Sequence, residues 1–466
     1  MSRGEAGMAL LVVLVILVAV SGTSASFIWF MNQQQTRAGT RMRAAAAVAV
    51  AEAGVHRALS ILESVAPDGR TPGRAWRPAA YTETLQVGPL EGRFTVSLAD
   101  GPGGAILITS AGEVAGTTRR LRARVYLASP ALLAGLHGAS VVRFEQPPAA
   151  AVILPYGAGI GDRPWIHVAA GRSIWFITTD VSINNPDLSF DAAPGPVDAP
   201  EGAGSATRLP RPGPVRLLLA RGADLTLGQE RQTVDVLQLR VMGVYIDGVV
   251  LRAEALPALP AVDRTYYRSQ AEANTRNAGL NEAAGRYVGD GSLERKRDSL
   301  YSEREFEYLQ GYIKTGLAPS RMAGMIYVTG GVSLLEGERL HIADGALVAE
   351  STVHISQGAV LEVTHSSPTR TLPGIIVLGN GALVVTQDAR LRVHGLVYAN
   401  RLIDIGQGAS VDVVGAVLGN DNDLAFRNTA ATVVIRYDPA VLGTPGLLVA
   451  DGDPVVAWVA AWEELP

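Results

Sequence analysis

Four histidines, His341, His354, His365 and His394, and the run Asp421-Asn422-Asp423 are the residues whose types come nearest to chemistry in this chain. The histidines match neither the i, i+4 spacing of a zinc-binding helix nor a pair of equivalent repeat positions, so they read as satisfied or solvent-facing side chains. Asp421 and Asp423 look like the opening of a calcium loop, but Ala425 and Phe426 stand where later ligands and a glycine belong, and calcium binding there is left open. The chain has no GxSxG, no HExxH and no glycine-rich phosphate loop ending in lysine, and it contains no cysteine. Disulfides, thiolate metal sites and cysteine nucleophiles are thereby excluded. A non-enzymatic protein without a cofactor is expected.

Charge narrows the partners. With 40 basic and 44 acidic side chains the net charge is −4, too small for a general attraction to nucleic acid or anionic lipid. Residues 324–466 hold 7 arginines and no lysine against 15 acids, a balance of −8 that repels phosphate in bulk. Residues 67–323 are nearly balanced, so a DNA surface would have to be assembled from local arginines. Arg120, Arg122 and Arg124 alternate with Leu121, Ala123 and Val125, which gives one strand a basic face, read first as solvated and second as a contact for an anionic partner.

The elements that carry these residues follow from periodicity. From Met8 to Met31 no residue is charged, and these 24 residues at 1.5 Å rise make about 36 Å, enough to cross a hydrocarbon core of about 30 Å. Thr23-Ser24-Ala25 could pass as the cut site of a secretory signal peptide, the alternative reading, but the run Phe27-Ile28-Trp29-Phe30-Met31 carries the hydrophobicity past it. The following segment is alanine-rich and free of proline, with Ala44, Val48, Ala51, Val55, Leu59, Leu62 and Val65 on one helical stripe. One helix is expected from Met8 to about Val65, first in lipid and then along a folded domain. PDGRTPGRAWRP ends it.

This N-terminal region resembles that of PilX-type minor pilins of type IV pili: a short leader ending in glycine, an apolar stretch directly after it, and an amphipathic continuation containing AEAGVHRAL. The resemblance covers roughly residues 4 to 66. It implies that prepilin peptidase cuts after Gly7 and that Met8 becomes a methylated N-terminus. Major pilins carry a glutamate as fifth mature residue, whereas that position here is Val12; Glu5 lies in the leader and cannot replace it. GspK-type tip pseudopilins share this absence. A carboxylate inside an apolar bundle needs a partner, in pilins the amino terminus of the adjacent subunit, so Val12 suits a subunit with none beyond it. Arg37, Arg41 and Arg43 after the span would by simple counting keep the C-terminal side in the cytoplasm, yet long domains translocate with little regard to such counts.

An α+β fold is therefore expected: a long pilin-like helix, a small antiparallel meander, then a mainly-β domain, read as a parallel β-solenoid with a β-sandwich as the alternative. The divisions are a leader (1–7), helix (8–66), meander (80–129), first solenoid part (130–256), helical insertion (257–323), second solenoid part (324–440) and C-terminal tail (441–466). Near copies ISQGAVLEV at 355–363 and IGQGASVDV at 405–413, and DGALV and NGALV at 344–348 and 380–384, support coils joined by glycine turns without a strict period. Glu362, Arg392, Asp404 and Asp412 alternate with apolar neighbours and should face outward.

The functional expectation is a minor pilin that initiates or caps a type IV pilus-like filament, single-pass in the inner membrane before assembly and then at the pilus tip. Other minor and major pilins and prepilin peptidase are the implied partners; the extracellular ligand is unidentified, and DNA has no support from net charge. The alternatives are a pseudopilin of a type II-like secretion system and a membrane-tethered β-solenoid carbohydrate-active enzyme.

Overall fold

The computed structural model describes residues 3–64, 80–88, 90–101, 104–144, 150–155, 166–170, 172–176, 182–183, 215–221, 223–227, 232–233, 248–317, 320–366, 373–420, 424–426, 432–449, 453 and 455–465. The fold is α+β and divides into two compact units. The first comprises residues 1–64, 74–125 and 459–466; the second comprises 65–73 and 126–458. The chain thus leaves the first unit and returns to it at its C-terminal end.

In the first unit, helix α1 (Arg3–Glu63) packs on an antiparallel meander, β1 (Ala80–Val87), β2 (Leu90–Asp100), β3 (Ile106–Val114) and β4 (Thr117–Ala128). A fifth strand, Val456–Leu465, lies beside β4. The segment expected to be a tail therefore completes the sheet, as its alternation VAWVAAW allows.

The second unit is built mainly from parallel strands in three ladders, with two short antiparallel pairs at Thr226–Leu227 with Gln232–Thr233 and at Ala261–Val262 with Leu447–Leu448, and the β-sandwich alternative is overturned by the parallel pairing. A complete coil places one strand on each of three walls, and apolar side chains from all three fill the interior. Val328, Ala349, Val377 and Ala399 stack from the first wall, Leu334, Ile355 and Val385 from the second, and Leu361, Val363, Val393 and Val413 from the third. The corner between second and third walls recurs at Gly337, Gly358, Asp388 and Gly408, each preceded by a residue with positive φ. Two spacings are near 20 residues, and the longer middle one contains the excursion between Thr364 and Ile375. That excursion hides the period in the sequence.

The copies at 355–363 and 405–413 occupy this same corner, with Val363 and Val413 fully buried and Glu362 and Asp412 facing out. DGALV and NGALV do not correspond: Asp344-Gly345 lies within strand Arg339–Ala349, and Asn380-Gly381 precedes strand Ala382–Val385. Both places need a sharp bend, and a shared local demand produced similar words. At the bend from third to first wall, a Cβ on Gly415 would stand 2.0 Å from the carbonyl oxygen of Gly395 in the coil below. Successive coils can close up there only without side chains.

The stacking order departs from chain order. Strand Ser410–Gly419 pairs with Ala134–Gly138, Leu424–Phe426 with Val141–Phe144, and Thr432–Tyr437 with Ala150–Pro155. The last coils of the sequence therefore sit on the first, while Gly248–Ala253 and Leu300–Tyr301 lie at opposite ends of one ladder. Residues 257–323 are accordingly no insertion between neighbouring coils. Helix Arg264–Ala273 packs Tyr267 and Ala271 on the outside of the first wall, against Tyr327, Val348, Ile376 and Tyr398. Helices Ala278–Val288, Gly291–Arg295 and Glu303–Lys314 send Ala284, Leu293, Phe306, Leu309 and Ile313 into the core at the end of the stack. The cap is fixed by hydrogen bonds. Asn274 donates to the carbonyls of Ala323 and Met325, Asn277 to Ala323, and Asn281 to Asp298 while accepting from the Tyr301 hydroxyl.

Candidate functional site

Helix α1 carries the residues for which the sequence suggests processing and filament packing, Gly7, Met8 and Val12. Its 61 residues correspond to about 92 Å at 1.5 Å per residue. Gly7, Met8 and Val12 lie on its first turns, so the residues from Arg3 onward and the apolar run form one helix with the amphipathic part. The helix meets the length and apolarity of a membrane span, with the qualifying region found within Ile16–Glu63 of the described residues.

The two halves meet different surroundings. Leu14, Ile16, Leu17, Val18, Val20, Phe27, Ile28, Trp29, Phe30 and Met31 are all exposed. Between them the hydroxyls turn inward: Thr23 donates to the carbonyl of Ala19 at 3.0 Å and Ser26 to that of Gly22 at 2.9 Å. These two hydroxyls are thus satisfied within the helix, and the small-residue run Thr23–Ala25 sits inside continuous helix. Arg37, Arg41 and Arg43 are exposed just beyond it.

The second half is buried along Ala47, Val50, Ala51, Gly54, Val55, Ala58, Leu59 and Leu62. The expected stripe is thus rotated. Ala44 and Val48 are only half-buried, and Ala47, Val50 and Ala58 take the centre of the contact; Val65 lies outside the described residues. Close approach decides the rotation: a Cβ on Gly112 of β3 would stand 2.2 Å from the carbonyl oxygen of Ala47, and one on Gly54 would stand 2.3 Å from the Ser110 hydroxyl. The smallest residues of helix and sheet face each other, bringing the backbones together. Arg57 pairs with Glu83 of β1 at 3.1 Å. The Tyr81 hydroxyl is pushed up to about 12, first by burial and then by the Glu83 charge.

Beside the helix, a groove of about 380 Å³ is lined by Glu52, His56, Leu121, Trp462, Glu463 and Glu464. The His56 and Trp462 rings lie 6.1 Å apart. Two of its acids are spoken for, Glu463 by Arg122 at 3.0 Å and Glu464 by Arg119 at 3.4 Å. Arg122 of the basic β4 face therefore has an acidic partner within the same sheet, while Arg120 and Arg124 are exposed. The C-terminal strand is the part of this constellation that sequence reasoning missed. Its alternation was the available signal.

The candidates for chemistry do not converge. His341 and His394 are on third-wall strands, His354 is on the second wall, and His365 follows strand Val360–Thr364. Burial pushes the His341 imidazole down, and its Nε2 lies 2.7 Å from the Thr364 hydroxyl. Among the described residues no three of His, Asp and Glu come together in a metal-holding group. Asp421 and Asp423 lie outside those residues. Asp412 is bonded to Arg436, both largely buried, which gives it a structural partner beyond a solvated surface role.

No family model matches this chain, and no curated protein does. Among solved structures, the crystal structure of the competence-associated pilin ComZ from Thermus thermophilus aligns over 91% of this chain and 97% of its own, at 14% identity and a TM-score of 0.26. A score that low carries no inference for this chain.

Proposed function

We propose that this chain is a minor-pilin-like subunit, anchored and assembled through α1 and carrying a β-solenoid as its functional domain. The observation that carries the reading is α1 itself. One unbroken helix exposes a charge-free apolar surface from Ile16 to Met31 and buries small residues against an antiparallel meander over its second half. An exposed apolar surface of that length needs lipid before assembly and other helices after it. Cleavage between Gly7 and Met8 leaves the surface intact and makes Val12 the fifth mature residue. Without a carboxylate there, the subunit has nothing to offer the amino terminus of a subunit beyond it, which fits initiation or capping better than repetition along a shaft.

Processing and position test this directly. Co-expression with a prepilin peptidase should give a mature chain beginning at a methylated Met8, read by mass spectrometry of the N-terminal peptide. A chain beginning near Ser26 would make it a secreted protein instead. Immunogold label on the solenoid should mark filament ends; regular label along the shaft would overturn the tip assignment.

A further inference from the structure

The third wall of the solenoid carries a charge pattern that bulk composition conceals. Within the block of net −8, four of the seven arginines, Arg339, Arg390, Arg392 and Arg436, project from this one wall, and Arg321 adds a fifth just before the block. Strand register places them in two rows along the stack. In one row Arg321, His341, Glu362, Arg392 and Asp412 follow one another on successive strands; in the next, Arg339, Val360, Arg390 and Ser410 do. Asp412 is engaged by Arg436. Among the described residues Arg321, Arg339, Arg390 and Arg392 have no ion pair, and three of them are exposed. With strands about 4.8 Å apart and alternate residues about 6.6 Å apart, the four guanidinium stems rise from a patch of about 14 by 7 Å.

A second observation adjoins the first. A pocket of about 410 Å³ opens between helix Glu303–Lys314 and the turn at Glu336-Gly337, and Arg339 forms part of its lining. Gln310 also lines it, is 8% exposed, and has its side-chain nitrogen buried without an acceptor. An orphaned buried donor costs about 1–3 kcal/mol, so its retention beside a pocket points to an acceptor supplied from outside.

We propose that this wall and pocket bind a linear acidic polysaccharide. Uronate carboxylates would take the free arginines. Sugar hydroxyls would donate to Glu362, and a sugar oxygen would accept from Gln310. The same features disfavour nucleic acid. No tyrosine, phenylalanine or tryptophan stands among the outward residues of these third-wall strands to stack a base. Glu362 in the middle of the row can accept hydrogen bonds from sugar hydroxyls, which a DNA backbone lacks.

The test uses the full chain in detergent micelles, with polygalacturonate oligomers as probe and neutral dextran and a short DNA duplex as comparators, by titration calorimetry. Polygalacturonate should bind and dextran should not. The double variant Arg390→Gln/Arg392→Gln should bind about tenfold or more weakly, with Arg120→Gln on β4 unchanged and all three proteins unfolding at the same temperature. Should the double variant unfold earlier, Arg339→Gln alone is read in its place, with a several-fold loss expected. Absent binding by the unaltered protein, or equal binding by a normally folded wall variant, overturns the proposal. Tighter binding of the duplex than of polygalacturonate replaces it with a nucleic-acid surface.

Discussion

His137 is 1% exposed, lies in register with Leu418 and Ala169, and has Nδ1 buried without a partner. Burial alone pushes its imidazole down to about 4. Because the folded state disfavours the charged ring, the stability held by neutral His137 is complete above the unfolded value of about 6.5 and is lost as pH falls from there toward 4. The loss amounts to about 3 kcal/mol at 1.36 kcal/mol per pH unit. Urea unfolding from pH 7 to pH 4 should therefore show a steeper decline in the unaltered chain than in His137→Gln; identical slopes would rule this histidine out. The sequence made such a residue visible only as a histidine in an apolar run. The alternation that turns Val363 and Val413 inward was legible because period-two patterning is local. The ion pair of Asp412 with Arg436 was not, since it joins neighbouring coils 24 residues apart.

At the scale of elements, the helix and the meander could be read directly, for both follow from nearest-neighbour chemistry: a proline-free alanine-rich run and alternating strands between glycine turns. The rotation of the helical stripe could not. It depends on Gly112 of β3 meeting the backbone at Ala47 and Ala51, and no helical wheel contains that strand. The C-terminal strand escaped for a similar reason, because its partner β4 is more than 300 residues earlier. It covers what would otherwise be a sheet edge, and it carries the acids that meet Arg119 and Arg122. A chain ending after Pro454 should therefore lose hydrogen-exchange protection along Thr117–Val125 while the strands of the solenoid keep theirs. Undiminished protection of β4 in that chain would mean that the fifth strand adds nothing to the sheet.

For the whole molecule, the reading of glycine-punctuated strands as a solenoid follows from texture, but the order of coils does not. Nothing near Leu136 announces that its partner is Val417. A chain ending after Leu317 should leave the first block of coils with an unpaired face at Ala134–Gly138, and limited proteolysis should digest that block readily. Resistance equal to that of the full chain would show that the first block folds alone. The same pairing sets a timetable. A coil that stacks on the next segment of chain can form as it emerges, but the first coil here waits for one made about 280 residues later, on the order of 15–60 s at 5–20 residues per second. Contact order is correspondingly high, folding is expected to be slow, and during the interval an unpaired strand edge is open to wrong partners. The final coils thus act as a late checkpoint: only a chain made past Tyr437 closes the stack, and an interrupted one is left with the exposed edge that proteases and chaperones recognise.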